Sequence, residues 1–340
     1  MSFEIETLDK EKNIDLITIY DERSKVQFTN FGMRIVDWKI DDRSVILGPT
    51  ESDDLIEYYE QNPYFFGATV ARYGGRIEDG QFVLNGESYQ LEQNDGVHNL
   101  HGGSNGLHTQ VFDYDIVNED DVVRIVYHVE LKHSDDHFPG DINMTVTHQY
   151  DLANLKWTIT YEATSTEDTL LNPMNHVYFN LNETNASIEN HQLHYNVQLY
   201  PLKDNQIVES LNTENINVEI GKDSITFKDI FESGLQQINR FNGIDHPVKL
   251  EDGTFKVSND ELELEMTTDQ NEVIIFTLND VDWNDRKDSI NVHSGFTLET
   301  QSLPNDINLL NESAPSILRK GDTFNSVTSY QITIKNWLFN

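Results

Sequence analysis

Two segments of the chain each carry one proton-transfer group on an alternating apolar and polar pattern. Leu171 to Asn182 reads LNPMNHVYFNLN, and Gly295 to Gln301 reads GFTLETQ. Side chains alternate faces along a strand. In the first segment Leu171, Val177, Phe179 and Leu181 therefore share an apolar face, while Asn172, His176, Tyr178 and Asn180 share a polar one. In the second, Phe296 and Leu298 oppose Thr297, Glu299 and Gln301. An imidazole exchanges protons near neutral pH, so His176 is a proton-transfer group, and Glu299 is a lone carboxylate among amides and hydroxyls. Taken singly, each reads more simply as part of a surface strand, with an idle histidine or an edge glutamate.

Other residues with chemical potential lie in loops. Gly67 to Ile77, GATVARYGGRI, holds Arg72 and Arg76, and a fixed guanidinium fork donates well to vicinal hydroxyls or pairs with a carboxylate. The segment lacks GxxxxGK[ST] and GxGxxG, so nucleotide binding is not expected. His101 precedes Gly102-Gly103, where backbone can approach a ligand closely or simply turn. Asp245, in GIDHP, reads equally as an acceptor for hydroxyls, an orienter of a histidine, or turn chemistry before a proline. Histidines gather at His98, His101 and His108, again at His128, His133 and His137, and at His191 and His194. With no HExxH spacing and no cysteine, neither a metal nor a cofactor is expected.

Strands must position these groups. Asn85-Gly86 between Gln81–Leu84 and Ser88–Leu91 predicts a hairpin. Val111–Val117 with Val122–Leu131, and Ile142–Tyr150 with Leu155–Ala163, predict two more, and Leu155, Trp157, Ile159 and Tyr161 share a face. Glu261–Thr268, Glu272–Leu278, Gly295–Gln301 and Ser326–Trp337 complete the strand candidates. Helical periodicity is confined to Asp53–Glu60 and Ile230–Ile238. Many closely spaced strands without interleaved helices predict an all-β fold, a large antiparallel β-sandwich with a few short helices. No linker, low-complexity tract or fixed-period repeat breaks the chain, so residues 1–340 are expected to form a single domain.

Charge narrows the partners. The 23 Lys and Arg against 59 Asp and Glu give a net charge of −36, with a sequence pI of about 4.4. Such a field repels phosphate backbones and anionic lipid, so neither nucleic acid nor a membrane surface is an expected partner. The start, MSFEIETLDKEKN, has no basic and then apolar leader, and a cytoplasmic protein is expected.

Taken in order, GATVARYGGRI, NLHGG, FPGD at Phe138 to Asp141, NPMNHVYFNL, GIDHP, LETQSLPND and LRKGDTFNSVTSYQI resemble the aldose 1-epimerase (galactose mutarotase) family. The resemblance runs from about Phe28 to Ile332 and implies one large antiparallel β-sandwich with a sugar cleft. It implies that Glu299 is the general base and His176 the general acid, with Arg76, His101 and Asp245 holding the sugar and His101 near the ring oxygen. Tyr178, on the polar face with His176, joins the expected substrate contacts. The departures are Ala71-Arg72-Tyr73-Gly74-Gly75-Arg76 where Gly-Arg-Tyr-Ala-Asn-Arg is common, and Phe112 where Trp is frequent.

Opening a hemiacetal needs a proton taken from the C1 hydroxyl and one given to the ring oxygen, without a cofactor. The acid and base are expected on opposing walls of the cleft, and the acidic field is expected to favour imidazolium at His176. The expected substrate is a neutral hexose such as galactose or glucose, acted on by a monomer or weak homodimer. Alternatives are a non-catalytic carbohydrate-binding sandwich, or an epimerase for maltose or a hexose phosphate. A phosphate site should show additional Arg or Lys, in which the chain is poor.

Overall fold

The computed structural model describes residues 2–50, 53–183, 185–283 and 290–335. Its largest sheet is antiparallel and runs in the order Tyr114–Glu119, Val122–Leu131, Ile142–Asp151, Lys156–Ser165, Phe324–Ile334, Leu262–Thr268, Thr254–Ser258, Gln192–Leu193 and Ile225–Thr226. Alternation explains which side is covered. In Val122–Leu131 the residues Val123, Ile125, Tyr127, Val129 and Leu131 are buried, while His128 and Glu130 are exposed. Tyr150 pairs with Trp157 and Trp157 with Tyr330 across three strands, forming an aromatic row on the buried face.

A second layer lies against that face. It contains the N-terminal meander Ser2–Asp9, Ile14–Tyr20, Ser24–Thr29, Arg34–Ile40 and Arg43–Ser44, a second five-stranded sheet, and several two-residue strand pairs. Trp38 from the meander crosses to the large sheet, donating its indole N–H to the Tyr150 hydroxyl at 3.0 Å and packing edge-on to Trp157. The second five-stranded sheet orders Glu214–Asn215, Gln198–Leu199, Asp245–Lys249, Glu272–Phe276 and Glu299–Gln301. One continuous apolar core joins both layers.

The strand expectations for the large sheet hold to within a few residues, except that the first strand begins at Tyr114 rather than Val111. The last ends at Ile334; residues 336–337 of the expected strand lie outside the described residues. The segment Leu171–Asn182 is not one strand. It forms Met174–Asn175, paired with Thr69–Val70, and Tyr178–Phe179, paired with Phe296–Thr297. Its two-faced pattern survives: Leu171, Val177, Phe179 and Leu181 enter the shared core, and His176 and Tyr178 line a cleft. The polar face is buried too, because Asn172 and Asn180 are spent on backbone carbonyls, of Ser302 at 3.0 Å and Ser294 at 2.8 Å respectively.

Short helices punctuate the second layer. Leu55–Gln61 answers the Asp53–Glu60 expectation and is capped by Asp54, which accepts from the Glu57 amide at 3.0 Å. The expected helix Ile230–Ile238 is two helices, Phe227–Phe231 and Gln236–Phe241, because Gly234 between them sits at φ +73°, outside helical space. Among the described residues no helix is long and apolar enough to cross a membrane.

Candidate active site

The cleft opens on the face of the second layer that turns away from the core, and strand alternation builds it. Val273 and Ile275 point inward while Ile274 and Phe276 line the cleft. Ile244 and Val248 likewise point inward while Asp245 and Pro247 line it, and Leu298 is core where Glu299 is cleft. The cavity measures about 560 Å³, within the range of roughly 300–1,000 Å³ typical of small-molecule sites. Arg76, His101, His176, Tyr178, Asp245 and Glu299 all line it, so the structure gathers the six residues expected for catalysis and substrate contact once the resemblance is taken into account.

His176 and Glu299 come from neighbouring stretches. Tyr178 pairs with Thr297, and two residues before the one and two after the other place His176 Nε2 3.4 Å from Glu299 Oε1. They share one wall, which corrects the expectation of opposing walls: His176 stands two residues before Tyr178 and Glu299 two after Thr297, and the short strands Tyr178–Phe179 and Phe296–Thr297 pair directly. His176 is 6% exposed and Glu299 3%. Backbone bonds hold His176, whose amide donates to Ala68 O at 2.8 Å and whose carbonyl accepts from the Gly67 amide at 3.0 Å. The Thr297 hydroxyl donates to Glu299 Oε1 at 2.9 Å.

Burial dominates the electrostatics of this pair. It pushes the Glu299 carboxyl up to about 8; the Thr297 hydrogen bond opposes the shift, the negative field of Asp245 adds to it, and Arg76 counters it. Burial likewise pushes His176 down to about 3, which overturns the expectation that the acidic field keeps it as imidazolium. The protein's charge lies mostly in solvent, where it is screened, whereas desolvation acts at the ring itself. Together the two groups hold one proton at neutral pH, and moving it from carboxyl to imidazole leaves their net charge at zero.

His101 follows the strand Asn99–Leu100, which pairs with Arg76–Ile77. The Gly75 amide donates to His101 Nδ1 at 3.1 Å. That bond makes Nδ1 the acceptor, so Nε2 carries the hydrogen of the neutral ring. Burial, then the neighbouring His176 and Arg76, hold its pKa well below the ordinary value, so it stays a neutral donor. His101 sits 5.3 Å from His176 between ring centroids, and Phe65 packs edge-on to His101 at 4.7 Å.

Arg76 donates through Nε to Asp95 at 2.6 Å, which fixes one side of the guanidinium. Asp245 accepts from the Gln206 side chain at 2.8 Å, and burial raises its pKa. Tyr178 is 1% exposed, and its ring packs 5.2 Å from His176. Burial and then the Glu299 charge hold its phenol well above the ordinary value, so it stays protonated.

The remaining candidates go elsewhere. Arg72 is a buried structural cation, bound to Asp136 at 2.8 Å and to the carbonyls of Pro139 and Gly140, which gives the FPGD segment its purpose. His98 receives the Asp79 amide at 3.0 Å, and His191 receives the Leu181 amide at 2.9 Å. Among the described residues no three His, Asp or Glu side chains are gathered in a metal-binding group. Sequence reasoning misses Phe65, Gln206, Arg240, Phe276 and Asn279, all of which line the cleft. Phe65 and Gln206 lie at φ +57° and +62° in loops, where no period of two or of 3.6 marks them.

Known proteins share the sequence pattern and the fold of this chain. The family model for aldose 1-epimerase matches residues 15–331. An aldose 1-epimerase of Haemophilus influenzae is 30% identical over 313 residues, covering 86% of this chain and 88% of that protein. A galactose mutarotase of Sus scrofa is 26% identical over 346 residues, covering 94% of each. The crystal structure of galactose 1-epimerase from Lactobacillus acidophilus shares the fold with a TM-score of 0.85 at 23% identity, over 98% of this chain and 99% of that one. With its motifs in order, its cleft assembled from them and the family match spanning nearly its whole length, the chain belongs to the aldose 1-epimerase family.

Proposed function

We propose that this protein is a mutarotase, interconverting the α and β anomers of a neutral hexose such as galactose or glucose by acid–base ring opening and reclosure. The observation that carries the reading is the buried His176–Glu299 pair, 3.4 Å apart, beside the His101 imidazole in a cleft of small-molecule size.

In the reactive arrangement Glu299 is carboxylate and His176 imidazolium. Glu299 takes the proton of the C1 hydroxyl, the C1–ring-oxygen bond breaks, and His176 gives its proton to the ring oxygen. The proton on the pair thereby moves from imidazole to carboxyl, and no charge is gained or lost. After rotation about C1–C2 the aldehyde recloses from its other face with the roles reversed, which restores the starting state. His101 Nε2–H supports the charge that develops on oxygen, while Arg76, Asp245 and Tyr178 hold hydroxyls.

A neutral sugar is favoured over a hexose phosphate because, among the described residues, the two arginines lining the cleft are committed: Arg76 to Asp95 at 2.6 Å, Arg240 to Asp204 at 3.0 Å. Asp245, Asp280 and Glu299 line the same space. The retained acid–base pair favours turnover over mere binding. We place the enzyme in the cytoplasm as one domain, a monomer or weak homodimer, with no nucleic-acid or membrane partner, in keeping with its net charge of −36.

Polarimetry of freshly dissolved α-galactose and α-glucose tests the reading. Wild type accelerates mutarotation of at least one sugar, and Glu299→Gln or His176→Asn lowers kcat by about 10²- to 10⁴-fold, the usual worth of a positioned acid or base. No acceleration by wild type would favour a binding module instead.

A further inference from the structure

Thr297 stands where the strand carrying Glu299 changes partners. Phe296–Thr297 pairs with Tyr178–Phe179, whereas Glu299–Gln301 pairs with Glu272–Phe276 in a register that sets Gln301 against Glu272 and Glu299 against Ile274. Continuing that register would bring Phe276 opposite Thr297, yet the backbone ladder stops at Ile274 and Glu299. The Phe276 amide is left without a ladder carbonyl and donates to Thr297 Oγ1 at 3.0 Å. A side-chain hydroxyl thus completes the sheet where the backbone departs from it.

That contact settles where the hydroxyl proton goes. With one lone pair engaged by the amide, Thr297 has a single hydrogen to place, and two acceptors are near: Glu299 Oε1 at 2.9 Å and Ile274 O at 3.4 Å. The shorter contact, to a carboxylate, is the stronger. Thr297 is fully buried, so no water competes, and its β-branched side chain has few rotamers. The chain of donors runs from the Phe276 amide through Thr297 to the same Glu299 oxygen that lies 3.4 Å from His176 Nε2.

We infer that Thr297 is a positioning residue of the reaction: through a hydroxyl anchored on the Phe276 amide, it holds the Glu299 carboxylate in the orientation that exchanges protons with substrate and with His176. The inference rests on the mutarotase reading above and adds a role for a residue that does not itself line the cleft. The hydroxyl has a second effect, because its hydrogen bond favours the ionised carboxylate against the pull of burial.

The test compares Thr297→Val, which keeps the shape and removes the hydroxyl, with Thr297→Ser, which keeps the hydroxyl. Mutarotation is followed by polarimetry across pH 5 to 10, with wild type and Glu299→Gln as references. In Thr297→Val, kcat falls by about 10- to 100-fold, the usual effect of losing a partner that orients a reacting group. KM changes little, and the alkaline limb of the pH profile moves upward. Thr297→Ser restores kcat to within a few-fold of wild type and returns the limb to its place. If Thr297→Val does not fold, Thr297→Ala takes its place in the same comparison. A valine or alanine variant with wild-type kcat and an unmoved limb overturns the inference, as does a serine variant as impaired as the valine. Wild type that fails to accelerate mutarotation defeats the functional reading itself, so the two failures are distinguishable.

Discussion

At the residue scale, the site runs on burial rather than on the protein's large net charge. Because burial lifts the Glu299 carboxyl to about 8, the one-proton state of the pair persists through neutral pH and is lost above about 8. Mutarotation, measured as kcat/KM, is therefore expected to be level from about pH 5 to 7 and to fall as pH rises through that value, with the limb absent from the residual activity of Glu299→Gln. A histidine limb between pH 5 and 7 would contradict the downward push on His176. Stability carries the same signature. A carboxyl whose folded pKa lies above its usual value of 4.5 binds more protons in the native than in the unfolded state between those two values, so it costs stability as pH rises from about 4.5 to 8. The melting temperature of Glu299→Gln relative to wild type should accordingly climb over that window, and a pH-independent difference would refute it. The roles of these residues are legible in the sequence only through the resemblance, because taken singly His176 and Glu299 each read as part of a surface strand and only the order of the motifs joins them. Their protonation is not legible there, since it depends on enclosure by Phe65, Tyr178 and Phe276, which no pattern in one segment reveals.

At the element scale, long strands announce themselves and two-residue strands do not. Val122–Leu131 and Ile142–Asp151 alternate for ten residues each, so their faces and register are readable. The pieces Met174–Asn175, Tyr178–Phe179 and Phe296–Thr297 are too short for any period, and what fixes them is pairing with partners distant in sequence. The N-terminal meander goes unmarked because its strands follow one another through turns without Asn-Gly or proline punctuation. Arg72 shows why a motif can be found and its purpose misjudged. It lies four residues from Arg76, yet it is fully enclosed and ties the Thr69–Val70 region to the Phe138–Asp141 loop. Replacing it by Met strands Asp136 and two carbonyls in a buried place and is expected to cost about 3–5 kcal/mol in chemical unfolding. The folded fraction should keep its catalytic rate; a stable variant with a defective rate would place Arg72 in the chemistry instead.

At the scale of the whole molecule, an excess of 59 acidic over 23 basic residues must be carried by the surface, because the core is apolar and continuous through both layers. Mutual repulsion of that many like charges works against the compact state and is screened by salt. Raising sodium chloride from 0.01 to 0.1 M shortens the screening length from about 30 to 10 Å and is expected to raise the melting temperature. A melting temperature indifferent to salt over that range would mean that local pairing already offsets the repulsion. The interleaving of core and cleft along single strands has a further, genetic consequence. Between Val177 and Phe179, and between Leu298 and Glu299, neighbouring codons answer to different selection, one for folding and the next for turnover. Inserting or deleting one codon there exchanges the two sets at once, sending imidazole and carboxylate into the core and valine and leucine into the cleft. Length variation among descendants of this gene is therefore expected to avoid these two stretches, which are left to change by substitution.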